Sequence, residues 1–297
     1  MVNLANIKCK EYCCSLNGQT PQKIEDAILS MYVVLTRQCN VRCKFCTFRG
    51  NVAPIDLACF ETCVRQLRTK FDLGKIQFTG GEPTLELATL RKCLEIVKKY
   101  DSLCFTSINT NGKQLLNLID MPNLDNVALS RHSVSIDEHF TIMQSTDVAT
   151  DEDIRTFCER NSGKLHLSCN LIRGYVDSVE KIVEYLEYAA NLGVDDVGFV
   201  SLMPVNNYCK EHFVDFSDLH NDIEKHNRFI NNKTFEQYSN GRTGTVTCRC
   251  KNYLYRATNG RIVAMYSRFV CQHKAEASYV VYENNELLQG FGGKKLM

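Results

Sequence analysis

The sequence predicts an α/β protein, a partial (β/α)6 TIM-like barrel with a small Cys-containing C-terminal extension. The first ground is an alternation of β-rich runs with helical stretches from residue 28 to 206, which implies parallel strands joined by right-handed crossovers. The second is positional. Each chemically distinctive segment comes directly after a β-rich run, and in such a barrel the chemistry sits at the C-terminal strand ends. The third is size: 297 residues, 44% hydrophobic, suffice for one large domain with an appendage.

The elements follow in order. Residues 28–36 ("ILSMYVVLT") read as strand, 55–70 as helix, 75–79 ("KIQFT") as strand and 86–99 as helix. Residues 103–109 ("LCFTSIN") form the third strand, followed by a short helix at 113–119. Strands at 126–130 ("NVALS"), 165–171 ("LHLSCNL") and 196–202 ("DVGFVSL") alternate with helices at 151–160 and 178–192. The segments that follow the six strands are "CNVRCKFC", "TGGEPT", "NTNG", "SRHS", "NLIRG" and "LMPV", and all six converge on one mouth. The expected division is an N-terminal extension at 1–27, the barrel core at 28–206 and a C-terminal region at 207–297.

Lys plus Arg (35) nearly equals Asp plus Glu (34), so net charge implies neither nucleic acid nor a membrane surface as partner. The first twenty residues lack a charged n-region followed by an apolar h-region, and no stretch approaches the roughly 18 apolar residues of a spanning helix. A cytoplasmic location is expected. A reducing compartment leaves sixteen cysteines as thiols, metal ligands or catalytic groups. Cys59, Cys63, Cys93, Cys104, Cys158 and Cys169 sit singly in apolar patterns and read as small buried hydrophobes. Cys9, Cys13 and Cys14 read as free thiols. The exceptions are Cys39/Cys43/Cys46, and Cys248 and Cys250 with Cys271 downstream.

A zinc site would need a fourth ligand near the first group, and none lies close in sequence. Three thiolates leave one metal position open, as in a 4Fe-4S cluster with one iron free for an exogenous ligand. The pattern C-x3-C-x2-C, with Phe45 before the last Cys and "TGGEPT" downstream, resembles the signature of the radical SAM enzymes. The resemblance implies that Cys39, Cys43 and Cys46 hold the cluster that cleaves S-adenosylmethionine and yields a 5′-deoxyadenosyl radical that abstracts hydrogen from substrate. It further implies that Gly80, Gly81, Glu82 and Pro83 form the second motif, in which glycines let the backbone approach and Glu82 neutralises the methionine ammonium. Taken alone, those residues also suit a strand-to-helix turn.

From about residue 28 to 206 the order of features resembles the subgroup containing the GTP-cyclising enzyme of molybdopterin biosynthesis. By that match Phe45, Gly81, Ser130 and Met203 line the cofactor pocket, with Asn109 and Thr110 close to adenosine or substrate. Arg131 and His132 are candidate catalytic contacts, the first for a carboxylate and the second for proton transfer. The tail "TCRCKNYLYRATNGRIVAMYSRFVCQH" resembles that subgroup's auxiliary 4Fe-4S segment. There Cys248, Cys250 and Cys271 would flank a hairpin turning at "ATNGR". A structural zinc site completed by His273 or Cys209 is the competing reading.

"KNYLYR" lacks the Arg-x-Arg pair of the GTP-cyclising enzymes, and His166 falls where that family tends to place a Lys, which points to a less phosphorylated substrate or a different pose. A small-molecule substrate and an electron donor such as flavodoxin or ferredoxin are the expected partners. A peptide-modifying maturase is the alternative within the enzyme class, weakened by the short segment before the first strand. A non-catalytic iron-sulfur electron carrier is the alternative outside it.

Overall fold

The computed structural model describes residues 14–16, 28–231, 242–244, 251–268 and 279–297. Cys9, Cys13, Cys248, Cys250, Cys271 and His273, for which the sequence raised expectations, lie outside these residues, as does the side chain of Cys14.

A short strand, β1 (Cys14–Leu16), opens the described chain. The six expected strands follow as β2 (Ile28–Thr36), β3 (Asp72–Gly80), β4 (Phe105–Thr110), β5 (Asn126–Ser130), β6 (Leu165–Leu171) and β7 (Asp196–Ser201). They pair in parallel and in chain order. Between them run α1 (Leu57–Arg68), α2 (Leu87–Tyr100), α3 (Ile136–Met143), α4 (Asp151–Arg160) and α5 (Val179–Asn191), followed by α6 (Asn207–Glu211) and α7 (Phe216–Lys225). The helix expected at 113–119 is a 3-10 turn at Leu115–Leu118.

Local chemistry explains the helices. In α1 Phe60, Cys63, Val64 and Leu67 are buried at the i, i+3, i+4, i+7 spacing of one helical face. The α2 stripe Leu90, Cys93, Leu94 and Val97 repeats it. Asp56 caps α1 by accepting from the Ala58 and Cys59 N–H groups, and Thr150 with Asp153 forms a capping box on α4. The expectation that single cysteines serve as apolar filling holds for Cys63, Cys93, Cys104 and Cys169, which are buried. Cys158 is half-buried and Cys59 is exposed.

The strands present two faces. In β6, Leu165, Leu167, Cys169 and Leu171 join the core under the helices. By the two-residue period of a strand, His166, Ser168 and Asn170 point the other way, to the inside of the barrel.

The C-terminal residues extend the sheet at both edges. The later strands are β8 (Phe229–Asn231), β9 (Arg242–Gly244), β10 (Lys251–Arg256), β11 (Ile262–Arg268), β12 (Tyr279–Glu283) and β13 (Glu286–Leu288). The sheet order is β13-β12-β2-β3-β4-β5-β6-β7-β11-β10-β8, with β1 and β9 as a separate pair. Since β12 is parallel to β2 and β11 parallel to β7, eight consecutive parallel strands form an open arc capped by antiparallel neighbours. The "ATNGR" turn forms as expected: Ala257 N–H donates to the Arg261 carbonyl, and β10 pairs antiparallel with β11. Among the described residues no helix is long and apolar enough to cross a membrane.

Candidate active site at the C-terminal ends of the strands

The cysteine loop leaves β2 at Thr36 and is fastened first by the glycine pair. Gly81 N–H donates to the Thr36 carbonyl at 2.7 Å and Glu82 N–H to the Gln38 carbonyl at 2.8 Å. A Cβ on Gly80 would lie 2.0 Å from the Thr36 carbonyl oxygen, and one on Gly81 would lie 2.1 Å from that of Gln38. Only glycine permits this contact. The close backbone approach expected of "GG" is therefore made, within the protein, to the cysteine loop.

Other elements hold the rest of the loop. Arg42 N–H donates to the Met143 carbonyl at the end of α3, and the Asn206 amide donates to the Lys44 carbonyl at 3.1 Å. The Cys209 thiol, on α6, lies 3.5 Å from the Phe45 carbonyl. The β12–β13 turn grips the distal limb: Asn284 Oδ1 accepts from Ala53 N–H at 2.9 Å and Asn285 Oδ1 from Asp56 N–H at 2.8 Å. Both asparagines have positive φ, 54° and 61°, the left-handed geometry of a tight hairpin turn that Asn tolerates well. Glu283 beside them pairs with Arg37 at 2.6 Å.

These anchors leave a cavity of about 560 Å³ at the C-terminal ends of the strands. Of the residues expected to form the site, Cys39, Cys43, Cys46, Phe45, Gly80, Gly81, Asn109, Thr110, Ser130 and His132 line it. Gln38, Asn111, Ser168 and Asn170 also line it and were not anticipated. Residues 168 and 170 were legible from strand alternation alone; Asn111 lay inside "NTNG" without a distinguishing signal.

Four expected contacts sit elsewhere. The Glu82 side chain is 0% exposed and lies behind the cavity wall. Its Oε1 accepts from Thr84 N–H, the Thr84 hydroxyl and the Thr110 hydroxyl, and its Oε2 accepts from Asn111 N–H at 2.7 Å. Burial pushes its carboxyl up from the ordinary value. Pro83, buried, begins the 3-10 turn that Glu82 caps. Arg131 is 1% exposed and turned inward: its guanidinium donates to the Ser133 carbonyl, pairs with Asp151 at 2.9 Å and lies over the Tyr188 ring. Met203 is 64% exposed and stands outside the lining.

His132 is in the cavity wall, but its proton chemistry differs from the expected near-neutral exchange. Burial, with the Arg131 charge second, pushes it down to about 3. Its Nδ1 accepts from Asn170 N–H at 3.1 Å, which assigns the neutral ring the Nε2–H tautomer. Its ring meets Phe45 edge-on, with centroids 5.1 Å apart. Behind it, His139 Nδ1 accepts from His132 N–H, and burial depresses this ring too.

Both histidines titrate lower in the folded chain than the unfolded value of about 6.5. Stability is thus fully present above that value and is lost as pH falls from it toward 3, because the unfolded chain binds the protons first. Urea unfolding of the metal-free protein is expected to show a loss between pH 7 and pH 5 of up to about 2 kcal/mol per ring. The slope should be shallower in His139→Gln. Equal slopes in the two proteins would show that His139 is not held neutral.

Deeper on the inner face, the Tyr266 hydroxyl is 2.8 Å from His166 Nε2, the two rings stack at 4.9 Å, and His166 Nδ1 is 3.1 Å from Asp196. A Cβ on Gly198 would lie 2.3 Å from the Tyr266 ring, so the glycine makes the slot in which the ring crosses β7. Gly198 is in register with Ser168, which lines the cavity.

The donor set can be tested against candidate metals. Soft thiolates suit zinc, copper(I) or iron-sulfur clusters. A single zinc ion requires all its sulfurs about 2.3 Å from one point. Among the described residues no three His, Cys, Asp or Glu side chains are gathered closely enough to hold one ion. Three thiols spaced around one cavity fit the larger cluster. Burial and mutual repulsion push the free Cys43 thiol up to about 12 and raise Cys39 as well. Both are therefore neutral thiols in the metal-free protein, and a cluster would bind them with loss of their protons.

An arc of parallel strands carries a three-cysteine loop and a glycine-pinned wall at its C-terminal rim. Residues 33–146 match the family described as the Radical SAM superfamily. Its relatives include a probable GTP 3',8-cyclase of Saccharolobus solfataricus, 30% identical over 182 residues, 58% of this chain and 56% of that protein. A GTP 3',8-cyclase of Syntrophomonas wolfei is 26% identical over 193 residues, 62% of this chain and 58% of that protein. The chain thus spans a little over half the length of these curated relatives. The crystal structure of Streptococcus suis SuiB bound to S-adenosylmethionine has a TM-score of 0.55 at 19% identity, covering 71% of this chain and 48% of that one. At that identity the likeness is one of fold.

Proposed function

We propose that the protein is an enzyme that binds S-adenosylmethionine at a 4Fe-4S cluster held by Cys39, Cys43 and Cys46. The observation that carries this reading is that the three thiols and the Gly80–Gly81 wall face one cavity at the C-terminal strand ends. When bound, the cluster would supply the electron that splits the sulfonium and gives the 5′-deoxyadenosyl radical for hydrogen abstraction.

The chain's own groups set the surroundings. Phe45 and His132 form an edge-to-face wall, and His132 can offer an Nε2–H donor without changing charge. Asn109, Thr110, Ser130, Ser168 and Asn170 add neutral hydrogen-bonding groups. His166, the position compared above with a Lys, is occupied with Asp196 and Tyr266. Arg37, Arg42 and Arg49 also line the cavity on the cysteine-loop side, so the reading of a substrate less phosphorylated than GTP rests on the missing Arg-x-Arg pair and on His166. Anaerobic incubation with a low-potential reductant such as flavodoxin or ferredoxin is expected to convert S-adenosylmethionine to 5′-deoxyadenosine. Deuterium transfer from labelled candidate metabolites, GTP among them, would identify the substrate. An iron-sulfur carrier would give no cleavage.

The tail reading belongs to the same proposal: Cys248, Cys250 and Cys271 hold an auxiliary 4Fe-4S cluster. It is supported by the hairpin, since β11 runs parallel to β7 toward the cavity end and Lys251 stands opposite Ser267. Reconstituted protein is expected to hold about eight irons per chain. A variant lacking these three cysteines should keep about four, cleave the cofactor slowly and lose substrate turnover. About four irons with one stoichiometric zinc in the unaltered protein would instead make the tail structural.

A further inference from the structure

Asn111, in the loop after β4, is buried and fixed on three sides. Its N–H donates to Glu82 Oε2 at 2.7 Å, its Oδ1 accepts from Lys113 N–H at 3.0 Å, and its Nδ2 donates to Asn40 Oδ1 at 2.7 Å. Asn40 is itself held, because its amide donates to the Asp147 carbonyl and Asp147 pairs with Lys113. Flipping the Asn111 amide would set oxygen against oxygen at Asn40 and N–H against N–H at Lys113, so the network assigns its orientation. The remaining Nδ2 hydrogen is available to Cys39 Sγ, 3.8 Å away.

The three sulfurs therefore have unlike surroundings. Cys46 Sγ accepts from the Phe48 backbone N–H at 3.3 Å, whereas Cys43 Sγ lies 3.5 Å from the Met143 sulfur. Cys39 alone of the three has a side-chain amide as its donor among the described residues. Asn111 also stands between that sulfur and the Glu82 carboxylate, with its backbone on the carboxylate and its side chain on the sulfur.

We infer that Asn111 is a positioning residue that sets the reduction potential of the loop cluster by donating Nδ2–H to the Cys39 thiolate. The inference rests on the cluster reading proposed above. A hydrogen bond to a ligating sulfur withdraws electron density from it and favours the reduced cluster, which raises the potential. The donor is oriented before the cluster binds, so it costs no rearrangement on reduction. It makes the cluster easier to load with an electron from a soluble donor.

The test is a potentiometric titration followed by electron paramagnetic resonance, on reconstituted full-length protein without S-adenosylmethionine. It is run in the background lacking Cys248, Cys250 and Cys271, so that one cluster is read. Asn111→Leu removes the donor; Asn111→Asp keeps the shape and the acceptor for Lys113 while removing the N–H and adding negative charge. Both are expected to keep about four irons. Both should titrate at a more negative potential, Asn111→Leu by about 59 mV, a tenfold change in the one-electron equilibrium, and Asn111→Asp by more. Potentials equal to that of the parent protein, with iron retained, would overturn the role of Asn111 and leave the cluster reading standing. So would loss of iron in Asn111→Leu with an unshifted Asn111→Asp, which would make Asn111 a brace only. Absence of any cluster signal in the parent protein would overturn both.

Discussion

Replacing Cys39, Cys43 and Cys46 together by Ala is expected to abolish 5′-deoxyadenosine formation from S-adenosylmethionine while leaving a folded protein and any tail-bound iron. The loop's shape does not depend on its thiols. Its base is held by Gly81 and Glu82 N–H groups on Thr36 and Gln38, its middle by Asn206 on Lys44, and its distal limb by Asn284 and Asn285 on Ala53 and Asp56. Each substitution removes one sulfur, from side chains that are buried at Cys43 and half-buried at Cys39 and Cys46. The stability cost should stay near 1 kcal/mol per site. Catalysis has no such reserve under the proposed function, in which the electron would reach the cofactor only through a cluster held by these sulfurs. Undiminished product from the triple variant would sink the assignment of the loop.

The barrel and the centre of its site were legible in the sequence because they rest on short-range regularities. Strand and helix periods alternate six times, so the order of strands followed from chain order. The motifs fell at strand ends because a loop after a parallel strand has no other place to go. What escaped depends on distant partners. Arg131 looked like a free cation in a mouth loop, but Asp151, twenty residues on at the start of α4, pairs with it. α3 was hidden in "SIDEHFTIM" by its shortness, although Ser135 caps the Glu138 N–H and Ile142 and Met143 are buried. The grip of Asn284 and Asn285 on the cysteine loop spans about 230 residues, and no local pattern announces it. The addition of β11 and β12 to opposite edges of the arc was likewise invisible, since strand pairing at that range has no local period.

Glu82 carries the sharpest divergence between motif and structure, and its substitution is expected to act first on stability. The resemblance assigned its carboxylate to the methionine ammonium, whereas the structure turns it away from the cavity onto Thr84, Thr110 and Asn111. It ties the end of β3 to the end of β4, and through Asn111 it reaches the cysteine loop. Glu82→Ala leaves four donor contacts in a fully buried place without their acceptor, at a cost of at least about 3 kcal/mol. Glu82→Gln keeps one acceptor oxygen but sets an amide N–H against a backbone or hydroxyl donor, for about 1.5 to 3 kcal/mol. Urea unfolding of the protein without cluster or cofactor reads this directly, because no ammonium is then present to be bound. If both variants unfold at the same urea concentration as the unaltered protein and lose only S-adenosylmethionine affinity, the carboxylate must turn into the cavity when the cofactor binds. If stability falls as expected, the chemistry of "GGEP" divides in two: the glycines shape the cavity wall, and the glutamate holds that wall from behind.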